Sequence, residues 1–295
     1  MGLIHCSVGV MAHNEEANIG RLLQRLLEQH LTTVSIAEII VVASGCTDCT
    51  EEIVHEYAAR DRRIKLLTQP TREGKASGVN LFLRQASEAV VVLSSADVLP
   101  DVHAIQKLVE PLADPDTGMT SCRPVPVNKP DTFMGFAAHL LWNLHHEIAQ
   151  KHFKAGEMTA FRLIFQRIPY DAVVDEASVE PVIKGQGYRT IYVPEAIVHN
   201  KGPETVSDFL RQRRRNYAGH LAVHHNLGYV VSTMSPWRIL GVLLRRLDWR
   251  PRQLLWTAGV VALEMYGRWL GWRDFCTQRQ QHVVWEIAKT TKRLT

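Results

Sequence analysis

Three carboxylates have residue types and spacings that could act on a bound substrate. Asp97 follows the apolar run at 89–93 after two serines, and Asp175 and Glu176 are adjacent later in the chain. An oxygen ligand such as Asp97 suits Mg²⁺ or Mn²⁺, which bridge phosphate groups. Two neighbouring carboxylates can divide proton removal and orientation of the site between them. Taken alone, Asp97 could instead cap a helix, and the pair could be first-turn acids of a helix.

Polar residues follow four apolar segments of the first half. These polar segments lie at 13–15, 44–48, 72–75 and 94–97. Two of them contain glycine, one contains the cation Lys75, and one ends in the carboxylate of Asp97. Such a set can hold a nucleoside, a diphosphate and a divalent metal if the four segments come together. Lys75 by itself could also be a solvated lysine at a helix start.

The elements that would bring these segments together are alternating strands and helices. Short apolar runs at 4–11, 38–43, 64–67 and 89–93 predict strands, and amphipathic stretches between them predict helices, among them 75–86. Apolar strands separated by helices indicate a parallel sheet with helices on both faces. In such sheets ligands bind beyond the carboxyl ends of the strands, where the polar segments lie.

The second half adds a helix and a run of arginines. Residues 135–150 predict a helix whose apolar stripe fits either core packing or one wall of an acceptor groove. The stripe consists of Phe136, Leu140, Leu141, Leu144 and Ile148. The run at 211–215 is either a solvated charged face or a contact to a diphosphate, with one arginine pointing inward.

Composition restricts the class of protein. The chain has 295 residues, of which 46% are hydrophobic and 22% charged, and this excludes a disordered chain and a collagen. Five cysteines are too few for a disulfide scaffold and favour a reducing compartment. The pair Cys46 and Cys49 has no second pair at zinc-ligand spacing. We expect no secretory signal at the start, because His5 and His13 interrupt its apolar stretch.

Positive charge and tryptophan are concentrated toward the end of the chain. From Thr205 onward there are fifteen Lys and Arg against five Asp and Glu, together with six of the seven Trp. The apolar runs at 240–247 and 254–263 are too short to span a bilayer. Arginine and tryptophan beside short apolar helices are typical of a segment at a membrane surface. These helices could instead pack on the body or on a second copy in a homodimer, and no nucleic-acid module is recognised.

Six short strings occur in an order that resembles a family 2 glycosyltransferase of the GT-A fold. They read HNEE at 13–16, VVASGCTD at 41–48, EGKASGVN at 73–80, SSADVLP at 94–100, VDEA at 174–177 and RQRRRN at 211–216. The resemblance extends from about residue 5 to about residue 220. It implies an α/β, Rossmann-like fold with a mostly parallel sheet and helices on both faces. The basic C-terminal part would add an α-helical extension.

The resemblance also implies roles for individual residues. The donor would be a nucleotide-diphosphate sugar of the UDP or GDP type, bound by strand-end and basic side chains. These are His13, Asn14, Glu15, Ser44, Lys75, Ser95, Asp97, Gln212, Arg214 and Arg215. Asp97 would hold the divalent metal, Mg or Mn. Glu176 would be the catalytic base and Asp175 its partner, in a direct displacement that inverts the anomeric configuration.

At three positions the chain departs from the pattern of that family. Ser44 stands where the family usually has an Asp that contacts the nucleobase. Ser95 replaces the first acid of the metal-binding motif, so only Asp97 remains of the two. Asn216 replaces a Trp that usually stacks on a sugar acceptor, which argues against a processive polysaccharide synthase.

These inferences combine into an expected organisation. We expect a catalytic domain at 1–230, with a nucleotide-sugar half to about 125 and an acceptor half at about 126–230, followed by a helical extension at 231–295. The expected acceptor is a hydroxyl or phosphate compound that is lipid-linked or amphiphilic. The enzyme would be cytoplasmic and peripheral at the inner face of the cell membrane.

Two alternatives remain open on sequence grounds. The missing acids at Ser44 and Ser95 would suit a non-catalytic membrane-surface binding protein on a decayed transferase fold. A sugar-phosphate nucleotidyltransferase uses a related sheet. It places a Gly-rich basic loop after the first strand, and HNEEANIG at 13–20 lacks that loop.

Overall fold

A computed structural model describes residues 2–169, 175–277, 289–292 and 294, with the backbone alone at 175–177 and 289. Strands and helices alternate from the start, as the apolar periodicity predicts. The strands are β1 Ile4–Ala12, β2 Val34–Ser44, β3 Ile64–Gln69, β4 Val90–Ser95, β5 Val98–Pro100, β6 Thr117–Pro126, β7 Met158–Arg162 and β8 Arg189–Asn200. The helices are α1 Ile19–Leu27, α2 Thr50–Arg60, α3 Lys75–Gln85, α4 Ala104–Val109, α5 Phe133–Ala149, α6 Asp175–Gly185, α7 Val206–Leu227, α8 Pro236–Arg245 and α9 Pro251–Thr277.

The strands of the described chain form one mixed sheet in the order β3-β2-β1-β4-β7-β6-β8-β5. The four strands predicted in the first half pair in parallel, β1 with β2 and β4, and β2 with β3. Strand β7 runs antiparallel to β4 and β6, and β5 runs antiparallel to β8, whereas β6 and β8 are parallel. The predicted fold class is confirmed. The carboxyl ends of β1, β2 and β4 therefore share one edge.

Each face of the sheet is covered by helices and by a separate apolar core. On one face, alternate residues of β1 such as Val8 and Val10 pack with Leu22 of α1 and Leu108 of α4. On the other face, β2 and β4 pack with α3 and α6. The alternation follows from the two-residue period of a strand, which sends successive side chains to opposite faces. Both cores hold the strand ends, and the loops beyond them, in fixed relative positions.

Gly9 in β1 allows α3 to lie close to the sheet. A Cβ atom at this position would stand 2.6 Å from the ring of Phe82. Phe82 is fully buried, so the ring has no room to move away. This close approach fixes α3, and with it Lys75 at the start of α3, against the sheet edge.

The helices at 206–277 pack on one another and on α5. Phe209 of α7 and Val260 of α9 join Met134 and Ala137 of α5 in a third core. The contact between α7 and α9 is tight, because a Cβ atom on Gly271 would stand 2.5 Å from the carbonyl oxygen of Arg214. The predicted C-terminal extension is thus largely helical over its described part, and its helices α8 and α9 pack on α5 and α7.

The predicted domain boundary at residue 230 falls between α7 and α8. Because α9 packs on α7 across that boundary, the division into domains stays a prediction. Among the described helices, none combines the length and the apolar character that a bilayer crossing requires.

Candidate active site

A cavity of about 840 Å³ opens at the shared carboxyl edge of β1, β2 and β4. It collects predicted site residues from five separate segments of the chain. These are His13, Glu15, Ser44, Lys75, Ser95, Asp97, Gln212 and Arg215. Segments that are far apart in sequence meet here because parallel strands all end at the same edge.

Two predicted donor-binding residues lie outside the cavity wall. Asn14 has a left-handed backbone (φ 53°) and its side-chain oxygen accepts a hydrogen bond of 2.8 Å from the amide of Thr47. It therefore ties the loop after β1 to the loop after β2. Arg214 faces α9 instead, where its guanidinium forms an ion pair with Asp274. Asp274 is buried, so this pair fastens α9 to α7.

The predicted base and its partner begin α6. Asp175 is the first residue of that helix and Glu176 the second, while their side chains lie outside the described residues. The next turn of α6 is anchored by Glu180, which is 1% exposed and accepts hydrogen bonds from Lys184 (2.8 Å) and from the hydroxyl of Tyr229.

The loop after β1 presents a neutral imidazole to the cavity. His13 Nδ1 lies 2.7 Å from the carbonyl oxygen of Ser44, so this nitrogen carries the proton and donates it. Burial lowers the pKa of His13, and the charges of Arg72 and Lys292 lower it further. A neutral ring beside two cations can accept a hydrogen bond or pack on a ring of the ligand without adding repulsion.

Among the described acids of the site, Glu15 has the pKa that departs most from its usual value. Burial, and next the charge of Asp97, raise its pKa to about 7, although contacts with Lys292 and Asn18 oppose the shift. Asn18 donates a 2.9 Å hydrogen bond to one carboxylate oxygen, and the ammonium of Lys292 contacts the other. Glu15 and Asp97 therefore form an acidic corner that attracts a cation.

Lys292 belongs to the last described part of the chain, which returns to the edge of the sheet where β1, β2 and β4 end. We call this edge, with the loops at 13–15, 44–48, 72–75 and 95–97, the donor edge. Its ammonium also donates a 3.0 Å hydrogen bond to the carbonyl of His13. Thr290 is held by Asp208 at the start of α7, and Leu294 is buried with its amide 3.2 Å from Asn18. No sequence signal pointed to this contact, because 277 positions separate Lys292 from Glu15.

Basic side chains face the acidic corner. Gly45 (φ 59°) lets the loop after β2 lie against the backbone of Arg72, where a Cβ atom would stand 2.5 Å from the amide nitrogen. Burial, together with the nearby charge of Arg215, lowers the pKa of Arg72. Two guanidinium groups that repel each other inside one cavity favour an anion between them. The sequence showed Arg72 only as part of a polar loop.

Asp97 can hold a metal only with help from a ligand. Among the described residues, no group of three His, Cys, Asp or Glu is placed to bind an ion. Magnesium, however, keeps several waters and commonly takes one or two carboxylates plus phosphate oxygens. The single carboxylate of Asp97 at the cavity wall fits such a site, which a diphosphate would complete.

The cavity continues as an apolar groove between α5, α8 and α9. The stripe predicted on α5 divides between the two alternatives that the sequence left open. Leu140, Leu141, Leu144 and Ile148 line the groove, whereas Phe136 packs against Trp256. The opposite walls come from two later helices and consist of Ile239, Leu240, Leu243, Val260, Val261 and Met265.

A band of exposed apolar side chains surrounds the mouth of this groove. Trp237 is 79% exposed, Met265 67% and Leu244 60%. Arg245 and Arg246 follow Leu244 directly. Exposed tryptophan and leucine next to arginine are typical of a surface that meets an anionic amphiphilic layer.

Comparison with known proteins identifies similar chains. A sequence model described as "Glycosyl transferase family 2" matches residues 7–180, which is more than half of the chain. The "Probable glycosyltransferase YdaM" of Bacillus subtilis is 26% identical over 225 residues, covering 71% of this chain and 53% of its own length. The "Poly-beta-1,6-N-acetyl-D-glucosamine synthase" of Staphylococcus aureus is 27% identical over 190 residues, covering 60% and 46%. The chain spans about half the length of the curated relatives it matches.

Solved structures share the fold. The mannosyltransferase PcManGT from Pyrobaculum calidifontis, in complex with GDP-Man and Mn²⁺, aligns with a TM-score of 0.65 and 22% identity over 93% of this chain and 88% of that one. Glucosyl-3-phosphoglycerate synthase from Mycobacterium tuberculosis, in complex with Mn²⁺, UDP and phosphoglyceric acid, aligns with a TM-score of 0.53 and 18% identity over 74% and 78%.

Proposed function

Because the chain belongs to glycosyl transferase family 2, we propose that it transfers a sugar from a nucleotide-diphosphate sugar to an acceptor, with inversion at the anomeric carbon. The observation that carries this proposal is the cavity at the carboxyl edge of the sheet. It joins an acidic corner at Asp97 to basic side chains at Arg72, Lys75 and Arg215. A nucleoside diphosphate needs both features, a cation site and guanidinium or ammonium donors for its phosphates.

The donor would lie across the strand ends. His13, Glu15 and Ser44 would contact the nucleoside, and Arg72, Lys75 and Arg215 would bind the diphosphate. The complexes of fold neighbours with GDP-Man and with UDP support a donor of one of these two types. The described lining of the pocket contains no residue that selects uracil over guanine, because Ser44 replaces the acid that usually contacts the base.

A divalent metal fits beside Asp97 in the proposed complex. Neighbours carrying Mn²⁺ or Mg²⁺ support this part of the proposal. When bound, the metal supplies positive charge to the leaving diphosphate. Arg72 and Lys75 stabilise the same negative charge on the leaving diphosphate. Their cationic groups are already in place, so they need no reorganisation during the reaction.

Glu176, at the start of α6, is the proposed base. It removes the proton from an acceptor hydroxyl, whose oxygen then attacks the anomeric carbon from the side opposite the leaving group. A phosphate acceptor needs less help of this kind, because its second pKa is about 6 and it arrives ionised at neutral pH. Asp175 would orient the base.

The acceptor is proposed to be amphiphilic and to reach the site from a membrane surface. Support comes from the apolar groove, from the exposed Trp237 that lines it, and from the exposed Leu244 on the same helix, α8. We place this contact at residues 231–295, of which 278–288, 293 and 295 lie outside the described residues, and at the cytoplasmic face of the membrane. The protein should sediment together with phosphatidylglycerol vesicles. The Trp237→Ser, Leu244→Ser double variant should stay in the supernatant.

A panel of UDP- and GDP-linked sugars with Mn²⁺ or Mg²⁺ tests the transferase proposal. At least one donor should be consumed, with release of the nucleoside diphosphate. Asp97→Ala should abolish metal-dependent binding of that nucleotide. Asp101→Ala is the matched control, since Asp101 pairs with His199 and does not line the cavity. If no donor is consumed and Asp97→Ala leaves nucleotide binding unchanged, the proposal is wrong.

A further inference from the structure

The last described segment of the chain is fastened on both sides of Lys292. Before it, the hydroxyl of Thr290 donates a 2.7 Å hydrogen bond to the carboxylate of Asp208 near the start of α7. Asn18 donates a 2.7 Å hydrogen bond to the carbonyl oxygen of Lys292 and accepts one of 3.2 Å from the amide of Leu294. The side chain of Leu294 is buried. These anchors hold the backbone at Lys292 against the donor edge.

The ammonium of Lys292 has a hydrogen-bond donor that no described residue uses. It contacts Glu15 and donates a 3.0 Å hydrogen bond to the carbonyl oxygen of His13. An ammonium carries three N–H donors, so these contacts with described residues account for two of them. Lys292 lines the cavity, and a ligand bound there can therefore accept the third hydrogen bond.

Glu15 offsets the positive charge of Lys292 only in part. Burial and the charge of Asp97 raise the pKa of Glu15 to about 7, so a large share of Glu15 holds a proton at neutral pH. In that state the ammonium of Lys292 lies beside a neutral acid. An anion in the cavity then meets a net positive charge at this point of the wall.

Lys292 belongs to the same group of cations as Arg72 and Arg215. The charges of Arg72 and Lys292 both lower the pKa of His13, so both cations lie near its ring. Arg215 lies near Arg72, because its charge lowers the pKa of Arg72. All three cations line the cavity. The place proposed for the diphosphate, beside Arg72 and Arg215, is therefore close to Lys292 as well.

Resting on the proposed function, we propose that Lys292 is a donor-binding residue, whose ammonium donates a hydrogen bond to a phosphate oxygen of the nucleoside diphosphate. Hydrogen bonds between an ammonium and a phosphate are charge-assisted and therefore strong. Glu15 and the carbonyl of His13 hold the ammonium in place before the ligand arrives, which lowers the entropy cost of ordering a lysine side chain. Thr290 is a positioning residue, because it fastens the segment that carries Lys292.

Calorimetric titration of the full chain tests this assignment. The probes are UDP and GDP, each with Mn²⁺, and the nucleosides uridine and guanosine. Lys292→Gln should weaken the nucleotide that binds by about tenfold, the effect of one charge-assisted contact. The corresponding nucleoside should bind unchanged, because it lacks the phosphates. Lys292→Arg keeps the positive charge and should retain most of the affinity. Lys151→Gln is the matched control, since Lys151 is exposed and does not line the cavity.

A second variant tests the segment that carries the lysine. Thr290→Val removes the hydroxyl that binds Asp208, so Lys292 is held less firmly. It should weaken the nucleotide, but less than Lys292→Gln does. In the Lys292→Gln background it should have no further effect, because no cation is left to position. Thr277→Val, which removes an exposed hydroxyl bond on α9, is its control.

The outcomes separate this assignment from the proposal on which it rests. If the wild type binds UDP or GDP and Lys292→Gln binds it equally or more tightly, Lys292 has no part in phosphate binding and the transferase proposal stands. Equal losses for nucleoside and nucleotide would mean that Lys292 acts through the loop after β1, which also overturns the assignment. If neither nucleotide binds the wild type, both proposals fail. Should Lys292→Gln not fold, Thr290→Val decides alone, and wild-type affinity in that variant overturns the assignment.

Discussion

The donor edge and the apolar groove share one cavity but are built in different ways. The donor edge consists of loops at strand ends, held by local hydrogen bonds such as Asn14 to Thr47 (2.8 Å) and His13 to Ser44 (2.7 Å). The groove consists of side chains from three helices, α5 in the middle of the chain and α8 and α9 toward its end. A polar site thus depends on precise loops, whereas an apolar one depends on how helices stack.

Because of this difference, we expect substitutions at the donor edge to change ligand binding. Substitutions at the helix contacts around the groove should change the stability of the fold. A charge removed from a strand-end loop changes ligand binding. Removal of the Arg214 charge, at the contact of α7 with α9, changes folding instead, because it leaves the buried Asp274 without its partner. Arg213 and Arg215 line the cavity, while Arg214 between them binds Asp274.

The largest expected effect is on the chemical step, where the two regions meet. Glu176→Gln should lower transfer to a hydroxyl, measured as donor hydrolysis, by about 10²–10⁴-fold, since a general base is lost. Transfer to a phosphate acceptor at pH 8 should fall by much less, because its oxygen is already ionised. Rates for Glu195→Gln, an exposed position on β8, serve as the reference. Unchanged hydrolysis would remove Glu176 from the mechanism.

The second-largest expected effect is a loss of stability that leaves nucleotide binding unchanged. Arg214→Gln leaves Asp274 buried without its partner and should lower the free energy of unfolding by about 3 kcal/mol. Urea unfolding measures it, and nucleotide affinity at low temperature should stay unchanged. Arg250→Gln is the control, because its pair with Asp248 is exposed to solvent and contributes little to stability. Weaker nucleotide binding without loss of stability would contradict this division.

Glu15 makes a pH-dependent contribution to stability at the donor edge. Its pKa is raised from 4.5 to about 7, so the folded protein retains a proton that the unfolded chain loses. Stability should therefore fall as pH rises from about 4.5 to about 7, by on the order of 3 kcal/mol. Glu15→Gln should flatten that part of the profile in urea unfolding between pH 4.5 and 8. Glu16→Gln, at the exposed neighbour, should keep the slope, and a slope shared by all three proteins would refute the assignment.

A smaller effect concerns the diphosphate itself. Arg72→Gln should weaken UDP or GDP about tenfold in calorimetric titrations with Mn²⁺, the effect of one charge-assisted contact. The corresponding nucleoside should bind unchanged, since it lacks the phosphates. Arg62→Gln, at an exposed arginine before the amino end of β3 and so away from the cavity edge, gives the baseline. Equal losses for nucleoside and nucleotide would place Arg72 at the base instead.

The sequence predicted the donor edge better than the groove, for a physical reason. Each predicted strand is a local apolar run, and in a parallel sheet the residue after it must lie at the common edge, which placed Ser44, Lys75 and Asp97 correctly. The structural role of Asn14 had no sequence signal. The helix starts only at Ile19, and Asn14 adopts the left-handed backbone that joins two loops.

The groove required information that local patterns do not contain. The stripe on α5 could be core or wall, and only the packing of α8 and α9 decides which side chains stay uncovered. The same holds for the arginine run. Consecutive arginines of α7 point in different directions, so that Arg213 and Arg215 line the cavity while Arg214 binds Asp274. The contact of Lys292 with Glu15 joins residues 277 positions apart and has no periodic signature.

The burial of Leu294 has a practical consequence for how this protein is handled. A fluorophore attached at position 294 would lie beside Asn18 and crowd the proposed nucleotide site. A label placed before Leu3, which is 51% exposed, would sit at the amino end of β1, opposite the edge where the chemistry is proposed. Assays with the two labelled forms need not agree.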